Sequence, residues 1–378
     1  IQVGDGIFVI TRSEKQALSL SPKEEALVKP TYKNSDICPY FVDPSDEGLY
    51  IIYTTKNSTL KAHPKLATHL EKFKEILEQK RECKEGRLPW YSLHWARDEN
   101  LLSTTKIVTP RWGEREWKPF ALQTGQFYEN SDINLIVPKS DTKENLLYIL
   151  GILNSTLIKR WMLAKGRQRG LTRQKILEMI PVRRIDFNRA EDKQRHNAIV
   201  QKVKSIRKYL QKLAQFSKYF DGPRLPRLQF DEPLPPLKIE ALLQELPTDK
   251  LYSLRTHPNI KILKSQNFQD EDFRLQRIGK VELTLEGPQL KITGKDRQAL
   301  TLTGPEPLLE LISKLLKLYK GQSWERIIEG LLLPQNVELL QKYSDKILRK
   351  VEQIRQKILS LQQEIDEIVY TLYGFKDV

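Results

Sequence analysis

The sequence predicts an α+β protein: a mixed, largely antiparallel β core with packed helices, a long antiparallel helical pair and a small β-meander insert. Three observations lead there. Short apolar runs bounded by turn residues dominate the first third, as strands do. Two segments carry sustained heptad spacing: Ile199, Val203, Ile206, Leu210 and Leu213, and then Ile347, Val351, Ile354, Ile358, Leu361, Ile365, Ile368 and Leu372. Between them, Lys280 to Thr303 alternates polar and apolar residues around Glu286-Gly287-Pro288 and Gly294-Lys295-Asp296.

In chain order, Ile7 to Ile10 reads as a buried strand after the turn Gly4-Asp5-Gly6. Val28 to Tyr40, Gly48 to Thr54, Lys106 to Val108 and Ile133 to Val137 supply further strands. Pro64 to Cys83 reads as one helix with Leu66, Leu70, Phe73 and Leu77 on a shared face. Leu146 to Ile158 is apolar on most of its helical surface, which marks a core helix. A long helix is expected over about Glu191 to Tyr219, and the proline-rich stretch Asp221 to Lys238 reads as a linker. The expected organisation is residues 1–187 as one domain, 188–221 as a long helix, 222–335 as linker plus small α/β insert, and 336–378 as a heptad helix pairing with 188–221. A dimeric coiled coil is the alternative use of the heptads.

Charge is the strongest functional signal. The 378 residues carry a formal net charge of +15. From Lys159 to Lys212 there are 17 Lys and Arg against 4 Asp and Glu, a net +13. That cationic window follows directly on the predicted core helix, an arrangement suited to presenting positive charge to a polyanion. Nucleic acid is the first partner to consider and an anionic membrane surface the second, although no apolar run is long enough to span a bilayer.

Catalytic signatures are sparse. The five histidines, His63, His69, His94, His196 and His257, show no zinc-ligand spacing and read as surface or capping residues. There is no GxxxxGK[ST] phosphate loop and no Asn-Pro-Pro-aromatic tetrapeptide, the motif by which amino-methylating enzymes grip a flipped adenine. Glu82-Cys83-Lys84 has the ExK form of one nuclease site but lacks an upstream aspartate on a strand. Cys38 and Cys83 have no CxxC partner, as expected for a reducing compartment. The chain opens at Ile1, without a methionine and inside a predicted strand, so a longer parent protein is expected.

What remains is a binding surface. Arg matches the two major-groove acceptors of guanine, and Gln does the same for adenine. Both types occur in the glycine-flanked loop 165–175, giving Arg167, Gln168, Arg169, Arg173 and Gln174 as base-reading candidates. The loop 109–115 adds Arg111, Trp112 and Arg115. Lys159, Arg160, Lys165, Lys175, Arg183 and Arg184 are the phosphate candidates. Trp90 and Trp95 are assigned to packing.

The order of motifs resembles a known family. Ile1-Gln2-Val3-Gly4 with Phe8-Val9-Ile10, Val28-Lys29-Pro30 with Asp36-Ile37 and Tyr40, His63-Pro64 with Leu70 and Arg81, and Trp90-Tyr91-Ser92-Leu93 follow in sequence. Lys106-Ile107-Val108, Leu150-Gly151-Ile152-Leu153-Asn154-Ser155-Thr156-Leu157 and Ile180-Pro181-Val182 complete the set. Over Ile1 to Val182 it resembles the TaqI-like C-terminal specificity domain, the target-recognition half of adenine-N6 DNA methyltransferases and fused restriction-modification enzymes. Ile365 to Phe375 also resembles the closing helix of such enzymes, whereas Lys280 to Thr303 matches nothing in the family.

The resemblance implies recognition of double-stranded DNA in a bacterial or archaeal cytoplasm, with no membrane partner. It implies a separate N-terminal catalytic domain that holds S-adenosylmethionine and the flipped adenine. No metal, cofactor or catalytic residue is expected in this chain itself. A stand-alone nuclease and a coiled-coil scaffold are the rival readings.

Overall fold

The computed structural model describes residues 6–44, 48–93, 96–111, 119–125, 127–129, 131–165, 177–264, 282–293, 299–318, 322 and 324–375. The chain divides into two units. Unit 1 comprises residues 1–214, 226–231 and 355–378, and unit 2 comprises 215–225 and 232–354.

Unit 1 is built from short antiparallel sheets. Strands β1 (Val9–Thr11), β2 (Val28–Thr31), β3 (Ile37–Cys38), β4 (Phe41–Val42) and β5 (Leu49–Ile52) come first. β5 lies between β1 and β2, with Ile51 opposite both Val9 and Lys29. The alternation seen in the sequence decides which face is inside: Ile10, Val28 and Ile52 are buried against Leu66, Leu70 and Leu77. Two local signals fix the connection between β1 and β2. Thr11 and Glu14 form a capping box at the helix after β1. Ser21 donates both its N–H and its hydroxyl to the Glu24 carboxylate.

The helix expected over Pro64 to Cys83 is three short helices, α1 (Pro64–Glu71), α2 (Lys74–Glu78) and α3 (Arg81–Lys84). The second interruption falls at Lys80. Its ammonium donates to the carbonyls of Trp90 and Ser92, and its backbone is extended, with ψ 137°. Burial pushes the Lys80 ammonium down to about 8. Glu24 reaches the start of α1, where one carboxylate oxygen accepts the N–H groups of Lys65 and Leu66. Burial opposes the Glu24 charge, but the Ser21, Lys65 and Leu66 donors outweigh it and hold the carboxyl down to about 2.

A second sheet sets β6 (Lys106–Pro110) between β7 (Ala121–Gln123) and β8 (Ile133–Ile136), all antiparallel. Every residue of β6 is buried. Gly125, at φ +84°, passes so close to the helix before β6 that a Cβ would lie 1.9 Å from the Ser103 carbonyl oxygen; only glycine fits.

The apolar rod expected from Leu146 to Ile158 is instead a bent pair, α4 (Leu146–Leu153) and α5 (Thr156–Lys165), meeting at 59°. The bend is forced from outside. The Asn154 carboxamide accepts the N–H of Phe120 and donates to its carbonyl, pairing with the residue that leads into β7 as a neighbouring strand would. Asp366 takes the N–H and hydroxyl of Thr156, the first residue of α5. Ser155 Oγ donates to the Ile152 carbonyl. Leu147, Tyr148, Leu150, Gly151, Ile152 and Leu153 are buried, as a core helix requires. Among the described residues no single helix is long and apolar enough to cross a membrane.

The long helix α6 (Ala190–Phe216) crosses close to α4. A Cβ at Gly151 would sit 2.5 Å from Cγ2 of Ile199 and 3.2 Å from that of Val203, so the helical contact depends on the missing side chain. The C-terminal helix, Val337–Leu372, contributes its end to unit 1. There Glu364 pairs with Lys202 of α6, and Gln362 accepts a hydrogen bond from Tyr40, a non-glycine residue held at φ +67°. Residues 226–231 of the proline-rich stretch also belong to unit 1. Arg227 grips Asp36 at 2.8 Å and the Asp43 carbonyl at 2.6 Å, while the buried Arg355 donates to the carbonyls of Gln229 and Phe230.

Unit 2 holds the meander. β9 (Leu251–Ser253) pairs elsewhere, and β10 (Lys261–Lys264) joins β11 (Glu282–Glu286), β12 (Gln289–Thr293) and β13 (Ala299–Thr303) in the antiparallel order β10-β13-β12-β11. Gly287-Pro288 make the tight turn between Glu286 and Gln289. The first strand of this sheet, Lys261–Lys264, lies outside the expected meander. Leu290, Ile292, Leu300 and Leu302 are buried beside the amphipathic helix Glu306–Leu318. The Gly294-Lys295-Asp296 turn lies outside the described residues.

Two outcomes test this scaffold. Replacing Asn154 by Ala strips the Phe120 N–H of its acceptor and is expected to cost about 2–4 kcal/mol in urea unfolding; a loss below about 0.5 kcal/mol would contradict the role given to the bend. Glu24→Gln addresses pH. The folded carboxyl sits near 2, below its ordinary 4.5, so its contribution is present above about pH 4.5 and fades as pH falls towards 2. The variant is therefore expected to lose on the order of 2 kcal/mol at neutral pH and to converge on the parent protein in acid.

Candidate nucleic-acid interface

The described cationic candidates fall into two groups. The first lies where β6 ends. The Arg111 N–H donates to the Asp132 carbonyl at 2.7 Å, continuing the β6–β8 ladder by one residue and leaving the Arg111 side chain exposed. β8 also organises Arg97, whose Nη2 donates to the Ile133 carbonyl at 2.5 Å. The Tyr53 hydroxyl holds the Arg97 carbonyl. Arg97 and Arg111, with Ala96 and Ser131, line an open pocket of about 420 Å³.

Behind this pocket lies a buried charge network. The Lys106 ammonium and the Glu129 carboxylate are 3.3 Å apart, and both side chains are fully buried. Lys106 also donates to the carbonyls of Leu102 and Thr104, and the Tyr32 hydroxyl donates to Glu129. Burial pushes the Glu129 carboxyl up and the Lys106 ammonium down, and each partner's charge opposes the other's shift. Burial also pulls the Arg97 guanidinium below its ordinary value; Glu129 counters this, and Arg111 is near enough to add to it. Arg97 is therefore a positive group packed between a buried anion and a second cation.

The second group surrounds α4 and α5. Lys159, Arg160 and Lys165 are exposed on α5, directly beyond the bend set by Asn154 and Asp366. Arg183 and Arg184 are exposed in the extended segment before α6. The backbone there is held tightly. Tyr373 accepts the Arg183 N–H and donates to the Pro181 carbonyl, and Tyr148 donates to the Arg183 carbonyl at 2.8 Å. The Arg184 guanidinium is partly committed, 2.9 Å from the buried Glu144 carboxylate. Burial would raise the Glu144 carboxyl, but the Ile185 N–H and Arg184 hold it below its usual range.

Trp112, Arg115, Arg167, Gln168, Arg169, Arg173, Gln174 and Lys175 lie outside the described residues. The cationic window is also less uniformly available than its net charge implies. Lys202 pairs with Glu364, Arg195 lies within ion-pair distance of Glu191 and Asp192, and Arg207 is partly buried. Arg97, which was not among the sequence candidates, joins Arg111 through β8, a strand more than thirty residues beyond it. No local pattern signalled it.

Three of the described histidines, His69, His196 and His257, have hydrogen-bond partners through their rings. His196 Nε2 accepts the N–H of Asn145 at the start of α4, and its ring packs on Tyr148 and Phe187. His257 bridges the Pro334 carbonyl and the Asn259 N–H, and His69 bonds the Ile7 carbonyl. Among the described residues no group of three His, Cys, Asp or Glu side chains could hold a metal ion.

Comparison with known proteins shows what the chain is similar to. Residues 29–182 match the model of the TaqI-like C-terminal specificity domain. The chain is 31% identical over 131 residues to the type II methyltransferase M.HincII of Haemophilus influenzae, a match covering 32% of this chain and 26% of that protein. It is likewise 31% identical over 131 residues to M.HindII of the same species, covering 32% of this chain and 25% of the relative. It is 23% identical over 175 residues to M.MjaIV of Methanocaldococcus jannaschii, covering 44% of this chain and 57% of the relative. The chain thus spans about a quarter of the two Haemophilus relatives. A solved structure of the type IIL restriction-modification enzyme MmeI in complex with DNA aligns with a TM-score of 0.40 at 15% identity, covering 59% of this chain and 28% of that one. The matched span takes in β2 to β8, the bent pair α4–α5 and the Ile180-Pro181-Val182 terminus, so the similarity to the TaqI-like C-terminal specificity domain covers residues 29–182 of this chain.

Proposed function

We propose that the chain reads double-stranded DNA as the specificity portion of a type II restriction-modification adenine-N6 methyltransferase. The observation that carries this reading is the specificity-domain match over residues 29–182, in which the Asn154 bend carries a helix exposing Lys159, Arg160 and Lys165. Phosphates engage these three residues with Lys175, Arg183 and Arg184, which sets register on the duplex. Bases are read from Arg111, Trp112, Arg115, Arg167, Gln168, Arg169, Arg173 and Gln174, whose arginine forks and amides match groove-edge patterns. A catalytic domain N-terminal to this sequence in the parent protein would bind S-adenosylmethionine and receive the flipped adenine, while this portion holds the flanking duplex. The heptad segments pair within the chain and brace the recognition surface. The reaction takes place on DNA in the cytoplasm.

Selection from random duplex tests the reading. The chain is expected to enrich one short site and to bind it at least about a thousandfold tighter than scrambled duplex. Arg167→Ala and Arg169→Ala are each expected to weaken that site by about tenfold or more and to relax preference at the base each contacts. Failure to enrich any site, together with concentration-dependent self-association, would favour a coiled-coil scaffold instead. Metal-dependent cleavage of plasmid by the chain would favour a nuclease.

A further inference from the structure

We propose that the outward face of α6 is a second, sequence-independent contact with DNA, its lysines tracking the backbone of the duplex that flanks the recognised site. The inference rests on the DNA-reading function and deepens it. It concerns Lys193, Lys204, Lys208 and Lys212, all of them beyond the specificity-domain match of residues 29–182.

α6 keeps its acids at one end. Glu191 and Asp192 lie in its first turn, and both are within ion-pair distance of Arg195. From Lys193 to Phe216 the helix has no Asp or Glu. Its apolar side, with Ile199, Val203, Ile206 and Leu210, is buried. Lys193, Asn197, Gln201, Lys204, Lys208 and Lys212 are all exposed. At 3.6 residues per turn they fall within one stripe about 100° wide, turned away from that apolar side.

Elsewhere the chain pairs such charges. Lys74 with Glu78, Arg81 with Glu85 and Lys314 with Glu310 are ion pairs four residues apart on their helices. On α6 itself the half-buried Lys202 is matched by Glu364. The exposed stripe instead sets lysine against lysine at that spacing, Lys204 with Lys208 and Lys208 with Lys212, an arrangement that weakens a helix. Among the described residues no carboxylate lies within ion-pair distance of Lys193, Lys204, Lys208 or Lys212. Lys212 stands over the Tyr209 ring, 5.8 Å from its centroid, which leaves its charge uncancelled. The fold tolerates this repulsion, and a polyanion laid along the stripe relieves it.

Length and chemistry select duplex DNA as the occupant. Lys193 to Lys212 covers about 28 Å of helix at 1.5 Å per residue, the length of about eight base pairs at 3.4 Å each. The close approach of Gly151 to Ile199 and Val203 and the Lys202–Glu364 pair fix α6 in the unit, so the lysines ride on a held rod. Lysine is a compact point charge suited to phosphate, and Asn197 and Gln201 add amides that donate to phosphate oxygens. The stripe carries no arginine fork for guanine and no aromatic ring, as a contact indifferent to sequence requires. A helix lying on a membrane turns its apolar side to the lipid, whereas that of α6 is buried in the protein.

The test measures the full chain on its selected site in two duplexes, one limited to that site and one extended by about twenty base pairs on each side, beyond the reach of the helix. Lys204→Gln, Lys208→Gln and Lys212→Gln are combined, which keeps helix propensity and removes three charges. On the long duplex the triple variant is expected to bind at least about tenfold more weakly, with a plot of log affinity against log salt shallower by about 2 to 3. On the short duplex it is expected to stay within about twofold of the parent and to keep the same base preference. It is also expected to melt no lower than the parent, because the two lysine repulsions are gone. Combining Lys204→Arg, Lys208→Arg and Lys212→Arg keeps the charge and is expected to bind the long duplex as the parent does. Unchanged affinity and slope on the long duplex, equal losses on both duplexes, or failure of the arginine variant to match the parent would overturn the proposal while leaving DNA reading intact. Lysine-dependent binding to phosphatidylserine vesicles with duplex affinity unaltered would overturn it too, and would assign the stripe to a membrane. Absence of duplex binding by the parent would overturn the DNA-reading function along with it.

Discussion

The carboxamide of Asn154 is the constraint on which unit 1 turns. It meets the backbone of Phe120 with an acceptor and a donor at once, a job usually done by an adjacent strand. Because Asn154 sits within an otherwise apolar helical run, satisfying Phe120 breaks that run. At the break, Asp366 of the C-terminal helix accepts the N–H and hydroxyl of Thr156, and Ser155 Oγ accepts the Ile158 N–H. Asn154 and Asp366 thus tie a sheet, the core helix and the C-terminal helix together. The chain also turns there, just before the exposed Lys159 and Arg160.

The same logic recurs elsewhere in unit 1. Polar side chains join segments distant in sequence through specific partners. Glu24 caps a helix more than forty residues on. Arg227 reaches back to Asp36 and Asp43, and Tyr373 secures the segment carrying Arg183. Such ties cost more if one member is lost than an apolar contact of similar size, because the remaining partner stays buried without compensation. The framework is therefore held in one geometry, which a surface that must register with a regular polymer requires.

Legibility in the sequence followed the range of the interactions. Strands β1, β2, β5, β6 and β8 were visible because alternation and turn residues are local signals. So was the burial of α4, because its apolar composition leaves no alternative face. The bend was not, because Asn154 and Thr156 are ordinary helix residues until Phe120 and Asp366, 34 and 210 positions away, claim them. The break between Lys74–Glu78 and Arg81–Lys84 coincides with the bonds of Lys80 to the carbonyls of Trp90 and Ser92, which no local spacing marks. Among the site residues, the exposed positions of Lys159, Arg160, Lys165, Arg183 and Arg184 matched their charge. The partial commitment of Arg184 to Glu144 did not show, since Glu144 has nothing in its local sequence to mark it as buried. Arg97 was hidden for the same reason: its place is fixed by a strand far along the chain.

The account's central claim is that this rigid frame presents cations to a DNA backbone. The dependence of duplex affinity on salt concentration tests that most directly. With all six named phosphate contacts in play, a plot of log affinity against log salt should fall with a slope of about −5. A slope near zero, or binding that is equally tight in low and high salt, would contradict it.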